Sequence, residues 1–353
     1  MRFFVTGAAG LAGSAIVERL RASGREVRAL VRRPEDAEPL RALGAEPVVG
    51  DLSDPRELVP FVEGVTHVIH AAGIADERAP LEVHGWTHVA ATENLIRASR
   101  RTGVRRFVFV SCADVTLVGR VRRGVNEDQD PGRPPLGRIG RTKYEAEEVV
   151  LGMGSDQFEP VVLRPGWLWG PRDRTFLPRV AALGAEGRLS LVGDGSTMVA
   201  TTHAANLAEA AEKASLSSLA AFGTYYVTDP QMVLQRDFLG GLAEALGLPR
   251  PKPGAGLLGR RVLGSVGLGP PRDFEPVEAY RLGISTSFDG ARARGDLDYR
   301  GELSVDEGLA GLTAWVRGLG GADAIRKIAR PTPGLESIER QRRIADRRRT
   351  VPM

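Results

Sequence analysis

The chain reads as an α/β protein built on a doubly wound parallel sheet. Two patterns predict this. Short β-branched runs alternate with amphipathic helical stretches through the first half of the chain, and a Gly-x-x-Gly-x-x-Gly run lies directly between the first strand and the first helix. No repeat of fixed period competes with that reading. Parallel strands need crossover connections, and right-handed crossovers place helices on both faces of the sheet.

The elements follow in order. "RFFVTG" is a short buried strand, and "AGSAIVERLRASG" is an amphipathic helix ended by Gly24. Strand "EVRALVR", helix "PEDAEPLRALG", strand "EPVVGD", helix "DPRELVPFVEG" and strand "VTHVIHAAG" come next, then a longer helix, "THVAATENLIRASRRTG", and the apolar strand "RRFVFVSCA". The polar, Pro- and Gly-rich segment "GRVRRGVNEDQDPGRPPLGR" predicts a long loop at the carboxyl edge of the sheet, where such loops shape sites. Helix "TKYEAEEVVLG" and strand "PVVLRPG" add another unit.

After Gly170 the pattern loosens. "RTFLPRVAALGAEG" predicts a helix, "STMVATTHAANLAEAAEKA" a strand running into a helix, and "GTYYVTD" a strand, whereas Leu248 to Pro271 is rich in Gly, Leu and Pro. The expected organisation is a dinucleotide-binding domain over 1–170, with 197–230 returning to it. A smaller, irregular substrate-binding region covers 171–196 and 231–330, and a basic tail covers 331–353.

Composition sets bounds on function. The 353 residues are 42% hydrophobic and 26% charged, with a net charge of +4, which is ordinary for a globular protein. A single cysteine excludes an internal disulfide framework and a cysteine-cluster metal site, so no metal is expected. No secretory pattern opens the chain and no run of about 18 apolar residues occurs, which predicts a cytoplasmic protein without a transmembrane segment. The arginine-rich end "ERQRRIADRRRTVPM" reads as a solvated arm, with peripheral contact to an anionic membrane as the alternative; no nucleic-acid partner is expected.

The glycine run, Gly7, Gly10 and Gly13 with Leu11 between, carries the clearest chemistry. A tight turn, close approach of a pyrophosphate to the backbone, and close helix–strand packing each demand glycine, and the helix N-terminus offers N–H groups to phosphate. At the end of the second strand an NAD site usually has a carboxylate for the ribose 2′-hydroxyl. Here Val31 stands there, followed by Arg32 and Arg33, which suit a 2′-phosphate. NADP(H) is therefore the favoured cofactor, with NAD(H) left open.

"TGAAGLAG", "GDLSD", "HAAG", "RRFVFVSC", "TKYEAEE", "LRPGWLWGPRD" and "LVGDGS" stand in the order and spacing of a known family. With them the chain resembles the extended short-chain dehydrogenase/reductase superfamily, a Rossmann-fold group, and within it the 3β-hydroxysteroid dehydrogenase branch. The resemblance implies that Asp51 and Leu52 flank the adenine, that Ala71, Ala72 and Gly73 line the cofactor, and that the backbone from Pro165 to Leu168 faces the nicotinamide. It also implies a Tyr-x-x-x-Lys pair with a Ser or Thr. Lys143 matches the lysine, which in the family binds the nicotinamide ribose and lowers the tyrosine pKa.

One helical turn earlier, where the tyrosine belongs, stands Ile139, which cannot donate a proton. Tyr144 lies about 100° around the helix from Lys143 and should face elsewhere. Cys112 aligns with the substrate-binding hydroxyl residue, and His88 with a frequent Asn. Three departures at one site point to a rebuilt active site.

The resulting expectation is an NADPH-dependent ketoreductase of atypical site, acting on a ketone or enone of a hydrophobic small molecule. Its proton would come from water, Lys143, His88 or the substrate, with Cys112 a poorer donor. The alternatives are a non-catalytic NADP(H)-binding protein, or a nucleotide-sugar epimerase/dehydratase, which would need a base at position 139. Relatives are often homodimers, which makes a homodimer the expectation if the chain self-associates.

Overall fold

A computed structural model describes residues 1–259 and 276–336. The strands are β1 Arg2–Thr6, β2 Glu26–Val31, β3 Glu46–Val49, β4 His67–His70, β5 Arg106–Val110, β6 Arg122–Val125, β7 Glu159–Pro165, β8 Trp167–Trp169, β9 Met198–Val199, β10 Thr201–His203, β11 Thr224–Val227, β12 Val233–Leu234 and β13 Thr286–Phe288. The helices are α1 Leu11–Ala22, α2 Glu38–Ala42, α3 Pro55–Val62, α4 Leu81–Gly85, α5 Ala91–Arg101, α6 Arg138–Gly152, α7 Phe176–Ala185, α8 Ala204–Leu216, α9 Gln235–Ala245, α10 Pro276–Gly283, α11 Ala291–Leu297, α12 Val305–Leu319 and α13 Ala322–Lys327.

Seven parallel strands form the main sheet in the order β11-β7-β5-β4-β1-β2-β3. The chain moves outward from β1 to β3, returns to β4, and continues the other way, so the strand order reverses between β1 and β4. Ligands of open α/β sheets bind at the carboxyl end of that switch point. Alternation within strands separates the two faces. Phe3 and Val5 pack with Ile16, Val17 and Leu207 beneath α1 and α8, whereas Phe4 joins Leu58, Leu95, Phe107 and Val150 beneath α3, α5 and α6. Removing one such ring costs about 3–5 kcal/mol, so both layers are needed. A third core unites Trp167, Trp169 and Phe176 with α9 and α12.

Four local features differ from the sequence expectation. The helix expected from Pro34 onward is split into a 3₁₀ turn, Pro34–Asp36, and α2. Pro39 lacks an N–H and disfavours helical geometry before it, so the helix must restart. Within the expected long loop, β6 forms and pairs with β13. Ahead of α8 there are two short strands, β9 and β10, which pair with β12 and β8. The helix expected from Thr87 opens in a π turn, Trp86–Ala90, and is preceded by a further short helix, α4.

Residues 260–275, which take in the later part of the Gly/Leu/Pro-rich stretch, and the tail from 337 onward lie outside the described residues. Among the described residues no helix is long and apolar enough to cross a membrane, and no group of His, Cys, Asp and Glu could hold a metal ion.

Candidate active site

The groove begins at the glycine loop. Gly7 has φ +65°, and a Cβ there would stand 2.7 Å from the Ala71 carbonyl carbon. A Cβ on Gly13 would stand 2.2 Å from the Gly7 carbonyl oxygen. Only hydrogen fits at either place. Gly10 caps α1 without a side chain, so the first-turn N–H groups around Leu11 face the groove unobstructed. This cradle fits a dinucleotide pyrophosphate, whose negative charge the helix terminus favours.

Neighbouring loops are tied to it by polar chains. The Ala72 N–H donates to Thr6 Oγ1 at 3.3 Å. Thr6 in turn meets His70 Nδ1 at 2.6 Å, and His70 Nε2 meets Thr92 Oγ1 at 2.9 Å. Burial pushes the His70 imidazole down to about 3, so it is neutral and acts as a fixed brace under Ala71–Gly73. Asn94 donates to the carbonyls of Leu52 and Ser53, both at 2.9 Å, and so fixes the loop that contains Asp51 and Leu52. At the end of β2, Val31 is buried while Arg32 and Arg33 are exposed.

Helix α6 forms the other end of the groove. Lys143 is buried, donates from Nζ to the Val110 carbonyl at 2.7 Å, and lies 4.5 Å above the Phe109 ring. Burial brings its pKa down to about 8, with Cys112 and Glu147 opposing. A Cβ on Gly73 would lie 3.3 Å from His88 Nε2 and 3.4 Å from Lys143 Nζ, so these two side chains close on the same backbone. Ile139 is buried on the turn before Lys143, and Tyr144 is exposed.

His88 is fully buried with both ring nitrogens engaged. The Ile74 N–H donates to Nε2 at 3.0 Å, which puts the ring proton on Nδ1, 2.8 Å from Thr142 Oγ1. Burial and the Lys143 charge hold it well below the usual imidazole range. No ring N–H is left to face the groove, which weighs against the expectation of His88 as acid. Cys112 is half-buried, and burial pushes its thiol up to about 12. That is too weak an acid for useful proton transfer at neutral pH.

Further residues build this end without a local sequence signal. Glu77 is buried, and its carboxylate accepts from the N–H groups of Arg138 at 2.9 Å and Ile139 at 3.3 Å, capping α6. Burial raises its pKa against the pull of Arg281. Ser111 donates to Glu147, and Arg164 pairs with Glu147 at 2.6 Å, locking α6 to β5 and β7. Asp229 accepts from Trp169 Nε1 at 2.9 Å, Thr201 Oγ1 at 2.8 Å and Asn206 Nδ2 at 2.7 Å, holding β8 and β10 in place.

Pro165 ends β7 beside Val227, and half-buried Leu168 lies in β8. The Gly166 N–H between them donates to Thr202 Oγ1 at 2.8 Å. From Gly166 a cleft opens between Trp167, Leu117, Val199, Ile284 and Phe288. Among the described residues its one ion pair is Arg281 with Asp114, joined through Nε and Oδ1 at 2.9 Å and a second bond, with the guanidinium 4.8 Å above the Trp167 ring. The cleft is thus mostly apolar, with a single neutralised charge pair.

Residues 3–220, more than half of the chain, match the NAD dependent epimerase/dehydratase family. The chain belongs to that family. This epimerase/dehydratase chain is 31% identical over 324 residues to a 4-hydroxy-2-methyl-3-oxo-4-farnesyl-3,4-dihydroquinoline-1-oxide ketoreductase of Stigmatella aurantiaca, covering 88% of this chain and 96% of the relative. It is 33% identical over 258 residues to a 2-alkyl-3-oxoalkanoate reductase of Stenotrophomonas maltophilia, covering 71% and 77%. The solved structure of MoeE5 in complex with UDP-glucose and NAD superposes with a TM-score of 0.71 at 27% identity, covering 90% of this chain and 99% of that one. With its seven-stranded Rossmann sheet and reductase relatives, this epimerase/dehydratase family member is an NAD(P)-dependent oxidoreductase of the extended short-chain dehydrogenase/reductase type.

Proposed function

We propose that the protein is an NADPH-dependent reductase acting on a ketone or enone of a hydrophobic small molecule, without a tyrosine acid. The observation that carries this reading is the face of α6. A buried lysine stands there, and the position one turn before it is a buried aliphatic side chain, Ile139, which has no proton to give. Bound NADPH would supply the hydride. Gly7, Gly10, Leu11 and Gly13 would hold its pyrophosphate, and Asp51, Leu52, Ala71, Ala72 and Gly73 would line it. Arg32 and Arg33 would pair with the 2′-phosphate, and Val31 leaves no carboxylate there to repel it.

Lys143 would hold the nicotinamide ribose, and Pro165 to Leu168 would set the nicotinamide face. Ile139 and Cys112 would border the substrate carbonyl, while His88 would position Gly73 and α6. The carbonyl oxygen of the substrate would take its proton from water, since Ile139, Cys112 and His88 offer none there. A substrate that yields a stabilised enolate, or an alcohol whose loss of water gives an aromatic ring, needs little acid help. A base to abstract an alcohol proton, which epimerisation would need, has no counterpart at Ile139. The names of the two relatives, a ketoreductase and an oxoalkanoate reductase, favour the same substrate class.

The test is NADPH oxidation with a panel of hydrophobic 3-oxo acids and cyclic enones, beside UDP-sugars. Saturable reduction of one of the former is expected. Turnover of UDP-sugars alone would overturn the reading.

A further inference from the structure

The adenosine end of the groove holds more positive charge than Arg32 and Arg33 supply. The Asp36 carboxylate, just past β2, is shared by three arginines. Arg33 donates to it at 3.0 and 3.1 Å, Arg174 at 3.4 Å, and Arg330 approaches to 3.7 Å. Apart from Asp36, the carboxylate found beside this cluster is Glu35, 3.5 Å from Arg33. Among the described residues four guanidinium groups, counting Arg32, thus face two carboxylates.

The electrostatics register the excess. Although burial opposes it, Arg33, Arg330 and Arg174 hold Asp36 below its usual range. Arg330 is pushed down by burial and by the charges of Arg174, Arg33 and Arg32. Its buried Nε has no hydrogen-bond partner among the described residues. Crowded cations with an idle donor are an arrangement that a dianion would relieve.

Arg174 and Arg330 come from outside the sheet. Arg174 is set by the loop after β8, where the buried Asp173 accepts three main-chain N–H groups. Arg330 follows α13, and its N–H donates to the Arg174 carbonyl at 3.0 Å. Two residues on, Thr332 donates to Asp76 in the loop after β4. The segment is therefore fastened beside β2 at one end and beyond β4 at the other. Strand β1, with its glycine loop, lies between those two strands.

We propose that Arg174 and Arg330 complete the 2′-phosphate site begun by Arg32 and Arg33, so that the segment 329–332 clasps the bound cofactor. This rests on the NADPH reading above. The clasp makes cofactor choice a property of two regions of the chain, not of the β2 turn alone.

Equilibrium binding of NADPH and NADH to the full chain tests it. Arg174→Gln and Arg330→Gln should each weaken NADPH about tenfold or more, the loss expected for one charge-assisted contact, and leave NADH within about twofold. Arg330→Lys, which keeps the charge without the fork, should fall between, and guards against a variant that misfolds. Adenosine 2′,5′-bisphosphate should displace NADPH from the unmodified protein far better than adenosine 5′-monophosphate does. Inorganic phosphate competing as well as the bisphosphate would reveal a general anion site and overturn the proposal. If the unmodified protein binds NADH as tightly as NADPH, the NADPH reading itself fails. If it prefers NADPH, and only the Arg32 and Arg33 variants lose that preference, the reading survives and the clasp is refuted.

Discussion

The two ends of the groove are made of different material. At the Gly7–Gly13 end the walls are main chain, and the decisive feature is the absence of side-chain atoms, since a single Cβ on Gly13 would come within 2.2 Å of a carbonyl oxygen. At the Lys143 end the walls are largely side chains from α6, β8, α10 and the segments after β4 and β5, joined by hydrogen bonds between residues far apart in the chain. A main-chain wall has one workable sequence. A side-chain wall can be altered one residue at a time while its braces keep the shape, and this is the end where Ile139, Cys112 and His88 stand.

That contrast implies a ranking of substitutions. The largest effect belongs to Gly13→Ala, which forces α1 away from the β1 turn. NADPH affinity should drop by at least about a hundredfold in a titration, the equivalent of some 2.7 kcal/mol. A loss below about fivefold would show that main-chain approach does not govern this end.

Lys143→Met comes next. Cofactor affinity and turnover should fall together, by about tenfold to a hundredfold, as expected when a charge-assisted contact is removed. Because burial holds Lys143 at about 8, NADPH affinity of the unmodified protein should decline as pH rises through about 8, and the variant should lack that limb. Fold stability moves the other way. Between about 8 and the unfolded value of 10.5 the unfolded chain binds more protons, so stability rises with pH until the unfolded lysine also titrates. A binding curve flat across that range would mean that the Lys143 charge does not touch the cofactor.

His88→Ala should cost stability more than rate. Ile74 and Thr142 each lose a buried partner, worth about 1–3 kcal/mol in a denaturation curve, while single-turnover reduction changes by less than about threefold. A hundredfold slowing with unchanged stability would make His88 the acid after all. The smallest effect is expected of Ile139→Tyr. The ring would enter the substrate's space, raising KM a few-fold without raising kcat. A large gain in kcat would mean that the Lys143 end is an ordinary reductase site that has lost its tyrosine.

The parallel sheet was readable because alternating β-branched runs and helical faces are local signals, and the glycine loop because its spacing is itself the geometry. The arrangement around α6 was not readable. Glu77 caps that helix from far upstream, Arg281 meets Asp114 across 167 residues of chain, and neither belongs to a motif. His88 looked like a candidate acid because an imidazole near a cofactor has a suitable pKa in water. Its burial and the Ile74 N–H remove that property, and neither can be seen in "THVAATENL". The pairing of β6 with β13 escapes the sequence for the same reason, since residues such as Gly124 and Ser287 that join them stand 163 positions apart.

The π turn at Trp86–Ala90 has a consequence for how this helix can vary. A wider turn absorbs one residue beyond the α repeat, so the two halves of the helix are out of phase by about a quarter turn. His88 can therefore reach the Gly73 backbone while Leu95 and Ile96 still meet the sheet. Deleting one residue here would restore a regular spiral and rotate one half against the other. Either the groove or the hydrophobic layer would then lose its facing residues, so length at this point is constrained even where residue identity is not.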